Sequence, residues 1–451
     1  MGSWVDIDPT SPFSLDNLPF GIASTPNKGN PHVVTAIGSY VVSIGMVLDA
    51  INKDEDKWGF DAAWMSLLPG IYDKGNLLSA VDQPTLGQFA ILGRAVHNTV
   101  RSALRELLSA NTSWGSILRD NPNCQAMAIV PQSQVRMYMP FSVANYTDFY
   151  AGYYHARTVG AMFRGEDKAL QPNYLHLPVA YHGRASSVVV SGTPVHRPVG
   201  QILLEGDPTN PQASPATLPT QKLDLELELG CVVGFGTQLG ERVPVGKAND
   251  YVFGYVLLND WSARDIQKWE YVPLGPFNGK NFVTMVSPWV VAADALERFR
   301  VKPSVELGVE PQEYLRQKEE RVFDIQLEVE LTTADGITST ISRTNSKHLV
   351  WSFEQMIAHH TLGGCPLAAG DLLGSGTISG PGGPGEAGCL LEMTRDGKQP
   401  IEVKGEDGRA VQRMYLEDGD TVTIRGWAGP DGGRIGFGEL VAKIEPAKWP
   451  L

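Results

Sequence analysis

The amino-acid sequence predicts an α+β protein that is rich in strands and divided into two domains. The chain has 451 residues, which at about 150 residues per domain leaves room for two or three. Its 48 glycines and 31 prolines predict many turns and argue against long helices. Helical spacing occurs before residue 140 and strand-like segments dominate after it. We therefore place the domains at 1–140 and 141–451.

The first domain is predicted to contain a hairpin and a long helix. Two β-branched runs in His32–Ile44 flank Gly38-Ser39, which is typical of a tight turn between paired strands. After Pro84, Thr85 can cap a helix whose apolar residues recur at helical spacing. These residues are Phe89, Leu92, Val96, Val100, Leu104 and Leu107.

The second domain is predicted to consist mainly of strands. Strand composition or alternation occurs in Ser187–Ser191, Lys222–Val233 and Phe323–Leu331. Segments rich in proline and glycine separate such strands, notably at 374–388 and 426–438.

Charge and cysteine content exclude several classes of protein. The net charge of −13 opposes nucleic-acid binding, which depends on lysine and arginine neutralising phosphates. The four cysteines lie far apart without zinc-ligand spacing, which favours a reducing compartment. We find neither a secretory signal nor an apolar stretch of the roughly 20 residues that a membrane helix needs. The expected location is the cytoplasm, without membrane association.

Acidic residues alternate with leucines in Leu223–Leu229. Because side chains alternate across a strand, Asp224, Glu226 and Glu228 are expected on one face, about 7 Å apart. An amphipathic strand with a solvated acidic face is the ordinary interpretation. A bound cation is the alternative, since it would offset the repulsion between the carboxylates.

Three further segments carry polar residues that could form a site. If a helix begins at Asn259, then Asp260, Arg264 and Gln267 share one of its faces, although a capped helix with an exposed ion pair is equally consistent. Asp148 and His155 bracket a loop that contains glycine, but His155 has no activating partner nearby in sequence. Loops bounded by glycine and proline carry further polar residues, for which a surface position is the more common outcome. These residues are Lys280, Thr284 and Thr377, followed by Glu392.

Taken together, these segments resemble the fumarylacetoacetase family over essentially the whole chain. The matching strings stand in the family's order: DNLPFGIAS (Asp16–Ser24), YTDFY (Tyr146–Tyr150), LPVAYHGRASSVVVSGTP (Leu177–Pro194), LDLELE (Leu223–Glu228), NDWSARDIQKWEYVPLGPF (Asn259–Phe277), SGTISGP (Ser375–Pro381) and GRIGFGE (Gly433–Glu439). The resemblance implies a small SH3-like N-terminal barrel, a larger C-terminal mixed β-roll domain, and a homodimer. It also implies hydrolysis of 4-fumarylacetoacetate to fumarate and acetoacetate, with Ca²⁺ and Mg²⁺ as cofactors.

The resemblance also assigns roles to individual residues. The Ca²⁺ ligands correspond to Asp148, Glu226, Glu228 and Asp260, and the Mg²⁺ positions to Asp260, Lys280 and Thr284. His155 corresponds to the general base and Glu392 to its orienting partner. Donors to the developing oxyanion correspond to Arg264, Gln267 and Lys280. Substrate contacts correspond to Tyr150, Arg164, Tyr181, Gln267, Tyr271 and Thr377. Oxygen ligands suit hard cations, in agreement with these roles.

One position departs from the family pattern within the loop that carries Lys280 and Thr284. Val283 stands where the family usually has glycine, and a glycine can adopt backbone angles that valine resists. This departure leaves open a paralogous hydrolase or decarboxylase that acts on a related acylated β-diketone or acylpyruvate. A calcium-binding protein without catalysis is the third hypothesis, and the basic and imidazole residues at matching positions argue against it.

Overall fold

The amino-terminal part forms an antiparallel five-stranded sheet with helices packed beside it. The computed structural model describes residues 2–53, 62–204, 206 and 209–449. The sheet has the order β4-β3-β2-β1-β5. Its strands are β1 Phe20–Thr25, β2 Lys28–Ile37, β3 Tyr40–Ser43, β4 Ile129–Pro131 and β5 Arg136–Tyr138. The helices of this part are α1 Ile44–Lys53, α2 Ala62–Leu67, α3 Lys74–Val81, α4 Gly87–Ala90, α5 Arg94–Leu108 and α6 Pro122–Ala128.

The remainder of the chain consists mainly of strands. They are β6 Tyr146–Phe149, β7 Ala180–Gly183, β8 Val188–Val190, β9 Val195–His196, β10 Val199–Ile202, β11 Ala216–Pro219, β12 Leu223–Asp224, β13 Leu227–Val233, β14 Val252–Asp260, β15 Ser262–Ala263, β16 Thr284–Val286, β17 Val291–Ala292, β18 Arg300–Val301, β19 Val322–Phe323, β20 Gln326–Thr332, β21 Thr338–Asn345, β22 Leu372–Gly374, β23 Ile401–Lys404, β24 Ala410–Arg413, β25 Thr421–Ala428 and β26 Ile435–Glu445. Helices in this part are α7 Tyr153–Arg164, α8 Arg264–Glu270, α9 Ala293–Leu296, α10 Phe353–His360 and α11 Leu390–Met393.

Two large sheets organise this remainder. An eight-stranded mixed sheet has the order β7-β6-β22-β13-β14-β16-β8, with β17 also paired to β14. A five-stranded sheet has the order β21-β20-β25-β26-β9. The other strands form two-stranded ribbons, β10 with β11, β12 with β15, β18 with β19 and β23 with β24.

The eight-stranded sheet is buried on both faces, as its central strand β14 illustrates. Val256 and Leu258 pack into the core of the amino-terminal part. Tyr255 and Leu257 pack into the core shared with the five-stranded sheet β21-β20-β25-β26-β9. Because side chains alternate along a strand, the face of Val256 and Leu258 continues to Asp260 at the end of β14. One face of one sheet therefore carries apolar packing at one end and a carboxylate at the other.

The predicted fold class, an α+β protein rich in strands, is confirmed. The hairpin is also confirmed, with Ile37 opposite Tyr40 across the turn. The single helix after Pro84 is wrong, because the chain breaks between α4 and α5, where Gly93 takes a φ of +87°. Thr85 does not cap α4, whose preceding residue Leu86 makes no side-chain capping bond. Among the described residues, no helix combines the length and the apolar character required to cross a bilayer.

Candidate active site

Four carboxylates from three strands and one strand interruption meet at one end of the eight-stranded sheet. Asp148 lies on β6 opposite Gly374 of β22, and Glu228 lies on β13 opposite Leu258 of β14. Asp260 ends β14. Glu226 occupies the break between β12 and β13, where its N–H donates to the side chain of Asn259 at 2.9 Å. One ligand atom from each carboxylate lies within 4.8 Å of the others, and all four side chains are buried.

The chain leaves room for a ligand between these carboxylates. Oδ1 of Asp148 and Oε1 of Glu228 are buried and have no hydrogen-bond partner. Gly374 lies beneath them, and a Cβ there would stand 2.5 Å from Asp148 Oδ1 and 3.0 Å from Glu228 Oε2. Buried polar atoms without partners are rare in folded proteins, so these oxygens are suited to binding a cation.

The carboxyl groups of the cluster differ in the direction of their pKa shifts. Burial raises the pKa of Asp148 and Glu228 well above the usual carboxyl range, and the neighbouring carboxylates raise it further. Burial acts the same way on Glu226, but the charges of Lys280 and Arg264 outweigh it and lower its pKa to about 2. An added cation would therefore compete with protons on the first two groups.

Two buried cations border the cluster. Lys280 donates to Glu226 and, at 2.6 Å, to Asp260, whose other oxygen accepts from Thr284 at 3.0 Å. Burial would lower the pKa of Lys280, but these carboxylates raise it above its ordinary value, so the side chain stays an ammonium. Arg264 pairs with Glu226 at 2.8 Å.

Asp224 is separate from the carboxylate cluster. It lies on β12 and accepts from Arg264 Nε at 2.8 Å and from the backbone N–H groups of Leu390 and Leu391. The ordinary interpretation of Leu223–Leu229, a strand with a solvated acidic face, is wrong, because all three acids are buried. Asp224 instead holds Arg264 and the start of α11.

A histidine and a glutamate from distant parts of the chain form a buried pair. His155 lies in the first turn of α7 and its Nδ1 is 2.6 Å from Oε2 of Glu392 on α11. The same oxygen accepts from Ser379 Oγ at 2.7 Å and Cys389 Sγ at 3.2 Å. Burial would raise the pKa of Glu392, but His155 and these donors lower it. The ionised carboxylate accepts a hydrogen bond from Nδ1–H, which leaves His155 Nε2 as an acceptor.

One cavity of about 560 Å³ connects the carboxylate cluster with the imidazole. Of the residues to which the resemblance assigns roles, Asp260 and Glu392 stand behind the wall and contact residues that form it, and Thr284 stands behind Asp260. The others line the cavity directly: Asp148, Tyr150, His155, Arg164, Tyr181, Glu226, Glu228, Arg264, Gln267, Tyr271, Lys280 and Thr377.

Two details of the sequence-based interpretation change. Asp260 ends a strand and does not start a helix, and α8 begins only at Arg264, whose side chain reaches Gln267 Oε1 at 3.3 Å. Val283 does not have a positive φ, and both Lys280 and Thr284 reach Asp260.

Sequence reasoning missed several polar residues of the site. Lys222, Lys268 and Asp396 line the cavity, and Ser379 and Cys389 contact Glu392. Lys268 alone had a usable signal, since it follows Arg264 by one helical turn in a segment already considered a helix.

Comparison with known proteins identifies relatives along the whole chain. Residues 16–140 match the family described as "Fumarylacetoacetase N-terminal", and residues 145–445 match "Fumarylacetoacetate (FAA) hydrolase C-terminal". The chain is 50% identical to the fumarylacetoacetase of Emericella nidulans, with 99% of each chain covered. It is 42% identical to the human fumarylacetoacetase, over 99% of this chain and all of the human one.

Solved structures share the fold at lower identity. The fumarylacetoacetate hydrolase of Exiguobacterium antarcticum superposes with a TM-score of 0.50 at 15% identity, covering 95% of this chain and 99% of that one. At this identity the likeness concerns the fold alone. Because the two matching family regions and the full-length relatives span nearly every residue, the chain belongs to the fumarylacetoacetate hydrolase family.

Proposed function

We propose that this protein hydrolyses the carbon–carbon bond of 4-fumarylacetoacetate and releases fumarate and acetoacetate. The observation that carries the proposal is the single cavity in which a buried imidazole–carboxylate pair faces a cluster of carboxylates bordered by two cations. Relatives with this activity in their names, 42% to 50% identical over the full length, support the same substrate.

The carboxylate cluster is suited to one hard divalent cation. Its donors are all oxygens, two of them lack any partner, and Gly374 keeps the space between them open. Asp148, Glu226, Glu228 and Asp260 would hold Ca²⁺ or Mg²⁺, which when bound acts as a Lewis acid toward the dicarbonyl oxygens. Lys280, an ammonium already bonded to Glu226 and Asp260, supplies positive charge at the expected Mg²⁺ position and is not itself a ligand.

His155 and Glu392 activate the water that attacks the substrate. Nε2 of His155 takes a proton from a water molecule. At the same time the oxygen of that water bonds to the substrate's carbonyl carbon next to the double bond. Glu392 holds the ring in one tautomer and stabilises the imidazolium that forms. Arg264, Gln267 and Lys280 donate to the oxyanion of the tetrahedral intermediate. When that intermediate collapses, the carbon–carbon bond breaks, its electron pair leaves with the acetoacetate carbon, and His155 returns the proton.

The remaining wall residues bind the substrate. Arg164 stands at the end of α7, and its fork geometry suits a carboxylate. Tyr150 and Tyr181 flank the same region, while Tyr271 and Thr377 complete the wall. Tyr181 also donates to Asp260 at 2.8 Å, which ties substrate binding to the cation site.

The proposal is tested by following the loss of the substrate's diketone absorbance. With Ca²⁺ or Mg²⁺ present, the wild-type protein should consume the substrate and yield equal amounts of fumarate and acetoacetate. His155→Ala should lower kcat by about 10²–10⁴-fold, because it removes the general base. His176→Ala, at an exposed histidine outside the cavity, serves as the control. A wild-type protein that binds the cation but leaves this substrate unchanged would refute the proposal.

The proposal extends to assembly and location. The family resemblance supports a homodimer, for which light scattering should give about twice the chain mass of 49.0 kDa. A cytoplasmic location is supported by the four cysteines, all of which are free thiols. Fractionation of the native cells would test the location.

A further inference from the structure

The cations that line the cavity differ in whether a carboxylate already neutralises them. Lys280 and Arg264 pair with the carboxylates described above, and Lys222 pairs with Asp396 at 2.7 Å. Among the described residues, Arg164 donates only to the backbone carbonyls of residues 168 and 169. Lys268 makes no ion pair or hydrogen bond with any residue that the structure describes. Arg164 and Lys268 are therefore the cavity cations left for a ligand.

Lys268 reaches the cavity because of its place on α8. Residues separated by three, four and seven positions share one face of a helix, and Arg264, Gln267, Lys268 and Tyr271 all line the cavity. Each residue of an α-helix rises about 1.5 Å, so Lys268, four residues after Arg264, stands about 6 Å farther along α8. Arg264 is buried beside the carboxylate cluster, whereas Lys268 is exposed at the open side.

We infer that Lys268 binds the second carboxylate of a dicarboxylate substrate, the one on the acyl side of the bond that breaks. This inference rests on the proposed function. If Arg264 donates to the oxygen of the attacked carbonyl, the carboxylate across the double bond stands roughly 4–5 Å from that carbon, by ordinary bond lengths. Side chains of arginine and lysine are long enough to reach two groups at that separation from backbone positions about 6 Å apart along α8. Arg164 holds the carboxylate at the other end, so each end of the substrate meets one cation.

Lys268 thereby becomes a specificity-determining residue and not a catalytic one. It contacts a part of the substrate whose charge is unchanged during the reaction, so its bond is equally strong before and at the transition state. Such uniform binding lowers KM and leaves kcat nearly constant. A hydrogen bond to a charged group at this partly open position should change KM by about 5- to 10-fold.

The test compares Lys268→Gln with the wild-type protein on two substrates. One is 4-fumarylacetoacetate, and the other is its methyl ester at the fumaryl carboxylate, which removes that negative charge. On the free dicarboxylate, K268Q should raise KM about 5- to 10-fold with kcat changed less than about twofold. On the ester, the wild-type protein and K268Q should have the same KM. Lys247→Gln, at an exposed lysine outside the cavity, should match the wild-type protein on both.

A second measurement separates this inference from the proposed function. Calorimetric titration with fumarate and with its monomethyl ester, using Ca²⁺-loaded protein, requires no turnover. The wild-type protein should prefer fumarate, and K268Q should lose that preference. If the wild-type protein fails to hydrolyse 4-fumarylacetoacetate yet K268Q abolishes the preference for fumarate, the proposed function falls and the anion site stands. An unchanged KM and an unchanged preference in K268Q overturn the inference.

Discussion

At the scale of residues, the pairing of His155 with Glu392 could not be predicted from the spacing of these residues in the sequence. The two residues are separated by 237 positions, and only the fold brings Nδ1 and Oε2 to 2.6 Å. From the sequence alone, His155 had no partner and a structural histidine was the more common outcome. Family resemblance supplied the pairing, because no spacing rule connects residues that meet only through tertiary structure.

Replacing Glu392 with glutamine should impair catalysis without unfolding the protein. The amide keeps the size of the side chain but removes the charge that stabilises an imidazolium at His155, so kcat should fall about 10²–10⁴-fold. Steady-state kinetics and circular dichroism measure both effects. Glu402→Gln, at an exposed position of β23, is the matched control. A variant E392Q with kcat close to wild type would contradict the role given to this carboxylate.

Gly374 is expected to be necessary for the cation because of its missing side chain. The backbone at Gly374 does not have a positive φ, so alanine can adopt its conformation, but the added Cβ would press on Asp148 Oδ1. We expect Gly374→Ala to weaken Ca²⁺ and Mg²⁺ binding by tenfold or more, about 1.4 kcal/mol or greater. Calorimetric titration measures this. Gly363→Ala, where no atom lies within 4 Å of the added Cβ, should bind the cation like the wild-type protein. Equal affinities in the two variants would contradict the prediction.

At the scale of elements, the acidic strand illustrates where periodicity succeeds and where it fails. Alternation correctly identified a strand in Lys222–Val233, but it implied one solvated face. The strand lies inside a sheet with packing on both sides, so leucines and acids are all buried. Because the strand is interrupted at Leu225-Glu226, the side chain of Glu226 joins the carboxylate cluster, whereas Asp224 accepts a hydrogen bond from Arg264. A local pattern contains no information about a second covering layer.

The helix α5 carries a buried histidine that should make stability depend on pH. His97 is 5% exposed, its ring donates to the carbonyl of Phe89 at 2.8 Å, and burial lowers its pKa from 6.5 to about 4. The unfolded chain therefore binds the proton more readily between these values, so stability falls as pH drops through that window. The full loss is about 3 kcal/mol, at 1.36 kcal/mol for each pKa unit.

Urea unfolding at a series of pH values tests this dependence. His97→Gln has no proton to bind, so its unfolding free energy should fall less than that of the wild-type protein between pH 6.5 and 4. His196→Gln, at an exposed ring, should retain the wild-type slope. Parallel curves for the wild-type protein and H97Q would show that His97 does not carry this dependence.

At the scale of the whole molecule, the cation should stabilise the fold. The cluster exists only when β6, β13 and β14 are assembled, so a bound cation favours the folded state by mass action. At a hundredfold excess over Kd, the unfolding free energy should rise by about 2.7 kcal/mol. Urea unfolding with Ca²⁺ and with chelator gives the difference. Glu228→Gln should reduce it, and an equal gain in that variant would place the cation elsewhere.

The fold class could be predicted from the sequence, but the order of the strands in the sheets could not. Composition and turn residues were enough for a fold rich in strands, and a shift in periodicity marked residue 140, where we propose the boundary between the domains. The last strand of the amino-terminal sheet ends at Tyr138 and the next strand begins at Tyr146. The order of strands could not be predicted, because β22 pairs with β6 and β13 from far along the chain. Such pairings depend on which surfaces remain to be covered.

The face of β14 that runs from Val256 to Asp260 has a consequence for how this protein tolerates change. Its apolar end is covered by the amino-terminal part, and its acidic end, Asp260, stands behind the cavity wall as one of the four clustered carboxylates. A mutation in the amino-terminal core that opens a cavity beneath Leu258 should therefore loosen the neighbouring carboxylates of the cluster, although the mutated residue itself lies outside the cavity. Such a variant should lose activity because its carboxylates bind the cation more weakly, and raising the cation concentration should restore part of that activity.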